Sequence, residues 1–305
     1  MAEPTMADLK DLPAGYTSSR DVGDVLVGQD DARRLIETCS SGDDTALWSL
    51  LSQPQHIATL LSKPHTIYYK DPPRGKVMAR PIPNLERTLM VAAQTGHAAV
   101  VTALLAFATE HSIPLSDIVT REVVNKAIDG GHAAAIEALG AAYPKVTEIR
   151  IGHGHERPLY EAVRRRKPDV VAALLELGAD PLNPVAPGYK KLGNFRSSLM
   201  SFAAMNEGPR TTAMLLERGT PIAGTAALHT AARFGQLDTM RLLIKHGADL
   251  EEVVPGWKGW TPMHFAASTG KADAMKLLVE HSARINSKDE DGKTPKQLLD
   301  AQNAA

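Results

Sequence analysis

The 305-residue sequence has one cysteine, Cys39, which excludes an intramolecular disulfide and a cysteine-rich zinc site and suits a reducing compartment. Aromatic residues make up only 5% of the chain, so any interior must be built from Leu, Ala, Val and Met. An excess of one charge is also missing. With 34 Lys+Arg against 35 Asp+Glu, the whole molecule has no general attraction to nucleic acid or to an anionic membrane. No apolar run approaches the roughly 18 residues of a membrane span, and residues 1–29 lack the basic-then-apolar layout of a secretory leader. These absences lead to the expectation of a soluble protein of the cytoplasm or nucleus. The hydrophobic share of 43% is too high for a disordered chain, and the length fits two domains or one repeat array.

Self-comparison favours the array. Trp260-Thr261-Pro262-Met263-His264-Phe265-Ala266-Ala267 recurs upstream as Ala226-Ala227-Leu228-His229-Thr230-Ala231-Ala232, and Thr294-Pro295 restarts the pattern 33 residues after Thr261. Pairs of mostly small residues begin at Thr38, Ala92, Ala127, Ala162, Ala203, Ala231 and Ala266. Twelve positions after each stands a leucine: Leu50, Leu104, Leu139, Leu174, Leu215, Leu243 and Leu278. Thr261 is suited to cap a helix and Pro262 to its first turn, where a missing N–H costs nothing. Met263, Ala266 and Ala267 then share a helical face, and Gly270 can end the helix in the left-handed conformation. Glycines recur at that place as Gly42, Gly96, Gly131 and Gly235, whereas Arg166 and Glu207 replace them in the fourth and fifth copies.

The Thr-Pro-Met-His-Phe-Ala-Ala run resembles the signature of the ankyrin-repeat family. The resemblance covers roughly residues 30–299. It implies an all-α solenoid of stacked helix-turn-helix units with extended fingers, about seven repeats and a partial C-terminal cap. Residues 1–29 are expected as a flexible arm and 300–305 as a tail. Two stretches exceed the period: 53–84 by about 21 residues and 181–196 by about eight. Both are expected as inserted loops.

The resemblance also implies a partner surface, since such arrays bind through a concave groove and finger tips. Counting from the Thr position, the fifth, eighth and ninth residues of each first helix point away from the buried face. Around repeats four to seven this selects Arg164, Arg165, Phe202, Met205, Arg233, Phe234 and Phe265. Trp257 and Trp260 on a finger, and Tyr189 and Phe195 on the inserted loop, complete the set. The expectation is a protein-interaction module, an adaptor, scaffold or regulator, without cofactor. The alternative is a small-molecule binder or biosynthetic enzyme, with Arg164, Arg165, Arg233, Phe202, Met205, Trp257 and Trp260 around an anionic, hydrophobic ligand.

Catalytic motifs are scarce. His229 and His264 occupy the signature position whose imidazole, by resemblance, bonds to backbone near the next finger. His153 and His155 form an off-pattern His-x-His without a matched third ligand, so no metal is expected. If the chain is an enzyme, Glu161, His153, His155, Arg164 and Asp129 are the candidates. No Gly-x-Ser-x-Gly elbow or phosphate-cradling loop is present, and Cys39 fills a small-residue slot where it should be buried and inert.

Overall fold

The computed structural model describes residues 30–62, 65–70, 77–151, 156–182, 198–254 and 256–303. The expected N-terminal arm and nearly all of the 181–196 insertion lie outside these residues. The repeats appear as helix pairs: α1 (Asp30–Ser41) with α2 (Asp44–Leu51), and, after an insertion, α4 (Asn84–Thr95) with α5 (Ala98–Glu110). A short α6 (Leu115–Ile118) precedes α7 (Arg121–Gly130) and α8 (Ala133–Ala142), and α9 (Pro158–Arg164) and α10 (Pro168–Glu176) come next in the chain. Then follow α11 (Leu199–Met205) with α12 (Arg210–Glu217), α13 (Ala227–Phe234) with α14 (Leu237–Lys245), and α15 (Pro262–Ser268) with α16 (Ala272–Glu280). A final α17 (Pro295–Asn303) is the partial cap, so the residues from 300 onward, expected as a tail, continue that helix to Asn303.

The repeat frame places the core as its periodicity requires. Ala92, Ala127, Ala162, Ala203, Ala231 and Ala266 are fully buried, and so are Cys39 and the leucines from Leu104 to Leu278 in the twelve-residue series. Alanine at these sites lets neighbouring first helices approach closely, while each leucine fills the space beneath its own second helix.

The chain divides into two compact units, residues 1–161 with 169–179, and residues 162–168 with 180–305. In the first, α4 packs between α1 and α7, and α5 packs on α2 and α8. The segment 53–84, expected as a loop, instead carries structure. Pro54 begins a helix α3 (Pro54–Leu61) that packs on α1 and α4. Strands β1 (His65–Lys70) and β2 (Val77–Ile82) then pair antiparallel, His65 facing Ile82 and Lys70 facing Val77. Thr66, Ile67, Tyr68 and Tyr69 favour extended backbone, and Pro81 is tolerated because both strands of a two-stranded sheet are edges. The hairpin is a local insertion in an otherwise helical array. Asn84 fixes its exit, donating through Nδ2 to the Thr59 carbonyl at 2.9 Å and to the Ser62 hydroxyl at 3.1 Å.

In the second unit α13 packs between α11 and α15, and α15 also holds α17. Thr261 and His264 form a reciprocal cap at the start of α15. The imidazole Nδ1 accepts the Thr261 N–H at 3.2 Å, and the Thr261 oxygen accepts the His264 backbone N–H. The Thr261 cap is the one expected from the threonine–proline start, and the bond returned by His264 makes it reciprocal.

One contact recurs where first helices end. Gly42 and Gly96 adopt left-handed φ values of +78° and +83°, and His97 and His132 lie directly against them. A Cβ on Gly96 would stand 2.4 Å from the His132 ring, whereas one on Gly178, also left-handed at +84°, would meet nothing within 4 Å. Gly178→Ala should therefore cost about 1 kcal/mol from backbone strain alone, and Gly96→Ala roughly 3 kcal/mol because the imidazole must also move. Urea unfolding followed by circular dichroism would show equal losses if the imidazole contact has no weight.

Candidate functional site

The most constrained region is the finger set of the second unit. His229, 1% exposed, donates from Nε2 to the Glu252 carbonyl at 2.7 Å, and His264 makes the same bond to Lys293 at 3.3 Å. The signature histidines are thus finger anchors, as the repeat resemblance implies. Three carboxylates complete the bracing. Glu252 accepts the Gly224 N–H, while Glu251 accepts the Arg284 N–H at 2.7 Å and the Ser287 hydroxyl at 3.0 Å. Asp289 accepts the backbone N–H groups of Lys293 at 2.7 Å and Asp291 at 3.0 Å, and the Trp260 indole N–H at 3.0 Å. Burial pulls the Asp289 pKa upward, but these donors outweigh it and hold the carboxyl below its ordinary range. Lys258 meets Asp291 at 2.9 Å, and that hydrogen bond raises the ammonium pKa.

The aromatic residues at the fingers fall into two groups. Phe265 was expected on an open face, yet it is 3% exposed. The Trp257 ring lies 4.5 Å away and the Trp260 ring 5.2 Å, with the His229 ring edge-on at 5.5 Å. Finger residues close over the fifth position of repeat seven, so Phe265 belongs to the interior and the two tryptophans are its half-buried lid. Phe202 and Met205 are half-buried. Phe234, by contrast, is 42% exposed, and the Arg233 guanidinium carbon stands 5.8 Å from its ring centre. Arg164 and Arg233 are exposed and Arg165 is intermediate. Tyr189 and Phe195 lie outside the described residues.

The candidate catalytic set is not brought together by the described residues. His153 and His155 fall outside them, Asp129 is exposed, and Arg164 belongs to the second unit. Glu161, however, is only 1% exposed in the first unit, and Lys126, the equivalent residue one repeat earlier, is 7% exposed. Glu86, Arg87 and Glu122 are buried nearby in sequence register, and Glu86 accepts the Thr120 hydroxyl at 2.7 Å. Charged side chains are rarely buried to this degree. The repeat frame alone could not show the burial of Lys126 and Glu161, because it assigns the fifth position to solvent. Cys39 is buried as expected, and burial pushes its thiol up to about 12, which suppresses the reactive thiolate. Among the described residues no group of three or more His, Cys, Asp or Glu could hold a metal, and no helix is long and apolar enough to cross a membrane.

Burial, partly opposed by the Glu252 carbonyl bond, lowers the His229 pKa to about 4. A depressed imidazole pKa means that the unfolded chain takes up the proton first. The stabilisation is complete above about pH 6.5 and is lost as pH falls from there towards 4, an effect on the order of 3 kcal/mol. His264 is shifted downward too, again by burial, and acts in the same direction. His229→Gln should be less stable than the native chain at pH 7, and this deficit should shrink markedly by pH 4.5. A constant difference in urea midpoint at both pH values would refute the assignment.

Comparison with known proteins agrees with the geometry. A family model described as ankyrin repeats matches residues 199–289 in three copies. Among solved structures, the ankyrin repeat domain of Bcl-3, described as a unique member of the IkappaB protein family, superposes with a TM-score of 0.52 at 21% identity. The match covers 70% of this chain and 97% of that one, and at this identity it is a likeness of fold. No curated protein sequence matches the chain.

Proposed function

We propose, on the premise that this chain is an ankyrin-repeat protein, that it acts by binding another protein and that the contact lies on the second unit. Ankyrin repeats are generally protein-interaction modules, and stacked repeats present long surfaces suited to that task. The observation that carries the placement is Arg233 beside Phe234. An exposed phenyl ring under a guanidinium combines two side chains over-represented at interfaces. The braced fingers would hold such a surface rigid before the partner arrives, which lowers the ordering cost of association. An adaptor, scaffold or regulatory role fits this reading.

The test is quantitative affinity capture with the tagged full chain and with a Phe234→Ala/Arg233→Glu variant of unchanged melting temperature. Proteins retained by the native chain should fall at least tenfold with the variant. Equal recovery of every captured protein would place the contact elsewhere.

The buried Glu161 supports a second reading, a small-molecule site in the first unit. A carboxylate at 1% exposure, on a row that the repeat leaves open, is a candidate acid, base or ligand anchor. In a thermal-shift screen of metabolites, a stabilising compound should lose its effect with Glu161→Gln. A shift retained by the variant would remove Glu161 from that site.

A further inference from the structure

The turn that joins first to second helix carries an uneven share of the charge in the second unit. Arg164, Arg165, Arg166, Lys167, Arg233 and Lys271 stand there against one carboxylate, Glu207, in a chain whose net charge is -1. Register brings several of them side by side. The Thr269 hydroxyl donates to the Arg233 carbonyl at 2.9 Å, and the Lys271 side chain lies 3.2 Å from where a Cβ on Gly235 would sit. The exposed cation of repeat seven therefore adjoins Arg233 and Phe234 of repeat six. Asn206 makes the corresponding bond to the Val163 carbonyl at 3.4 Å, which sets the turn of repeat five beside Arg164–Lys167.

A second observation concerns Arg166. It occupies the helix-ending slot that is glycine in five other repeats, and its φ is +57°, in the left-handed region that a side chain disfavours. Ser112, Ala226, Lys258 and Ser282 share such positive φ values, but among these described residues Arg166 alone stands in the slot where a glycine ends a first helix. That slot places an exposed guanidinium on the same turn row as Arg233 and Lys271.

We infer that this row, with Arg233 and Lys271 beside the exposed Phe234 and Arg166 two repeats before them, docks a carboxylate-rich protein segment that carries an apolar side chain. The inference rests on the protein-binding reading and specifies the partner's chemistry. Guanidinium and ammonium groups meet carboxylates through charge-assisted hydrogen bonds, and the phenyl ring takes the apolar contact. A nucleic-acid backbone suits the row less well. Its one exposed ring supplies no series of stacking positions, and the exposed carboxylates of Asp238 and Asp273 follow in the first turns of α14 and α16.

The probe is a fluorescein-labelled peptide of three Asp-Glu-Glu-Phe blocks, titrated with the full chain by anisotropy. Controls are its Asn-Gln-Gln-Phe counterpart and a single-stranded DNA 12-mer. The acidic peptide should bind at least tenfold more tightly than either control and should weaken as salt rises from 50 to 300 mM. Arg233→Glu/Lys271→Glu should lose at least tenfold. Arg166→Gly should weaken binding several-fold while its melting temperature stays level or rises, a combination that a purely structural arginine would not give. Equal affinity for the acidic and neutral peptides, tighter binding of the DNA, or variants that bind like the native chain would overturn the proposal. If captured proteins still depend on Phe234 while the acidic peptide fails, the acidic chemistry falls and the protein-binding reading stands. Failure of both removes both.

Discussion

Close approach between first helices is the constraint from which the remaining features follow. Helices of seven to thirteen residues are too short to persist alone in water, so each must be stabilised by its neighbours. The fully buried alanine of each first helix from α4 onward, and the buried Cys39 in α1, allow that approach. At the ends, Gly42 and Gly96 leave room for His97 and His132 of the following repeats, so backbone conformation and packing specify the same register. A side chain larger than hydrogen there would force the imidazole of the next repeat to move.

Within the second unit a polar lattice takes over from packing at the fingers. Extended segments have few backbone partners of their own, and an unpaired buried N–H is costly. Glu251 and Glu252 answer this requirement by accepting N–H groups from distant residues, Asp289 by accepting those of its own turn, and His229 and His264 each donate to a carbonyl on a finger. Trp257 and Trp260 then cover Phe265. Polar anchors and an aromatic cluster thus fix the same loops, and the exposed Arg233–Phe234 pair sits on an element that has little freedom to move.

The frame was legible because its determinants are local and periodic. Ala231 and Leu243, or Ala266 and Leu278, identify a helix pair whatever surrounds them, and Thr261-Pro262 states its own cap. The 53–84 segment was not legible as structure because it belongs to no repeat. Its short extended run, His65–Lys70, gains meaning only from pairing with Val77–Ile82. Exposure of the fifth helix position was misread for a related reason. Periodicity assigns it to solvent, but Phe265 is closed over by a finger and Lys126 and Glu161 are buried as well. Nothing in the adjacent pair Glu251 and Glu252 announces the N–H groups that they accept.

The candidate surfaces therefore depend on departures from the repeat rather than on the repeat itself. Lys126, Glu161 and Phe265 share one register position and are all buried, yet two are charged and one is aromatic, so register alone cannot assign a role. Arg166 makes the same point in backbone terms. Gly131 and Gly235 show what the helix end prefers, a residue free to adopt positive φ, and an arginine in that slot gives up this ease. A guanidinium in that slot, on a cation-rich turn row in a chain of nearly zero net charge, is the departure on which the proposed docking row rests.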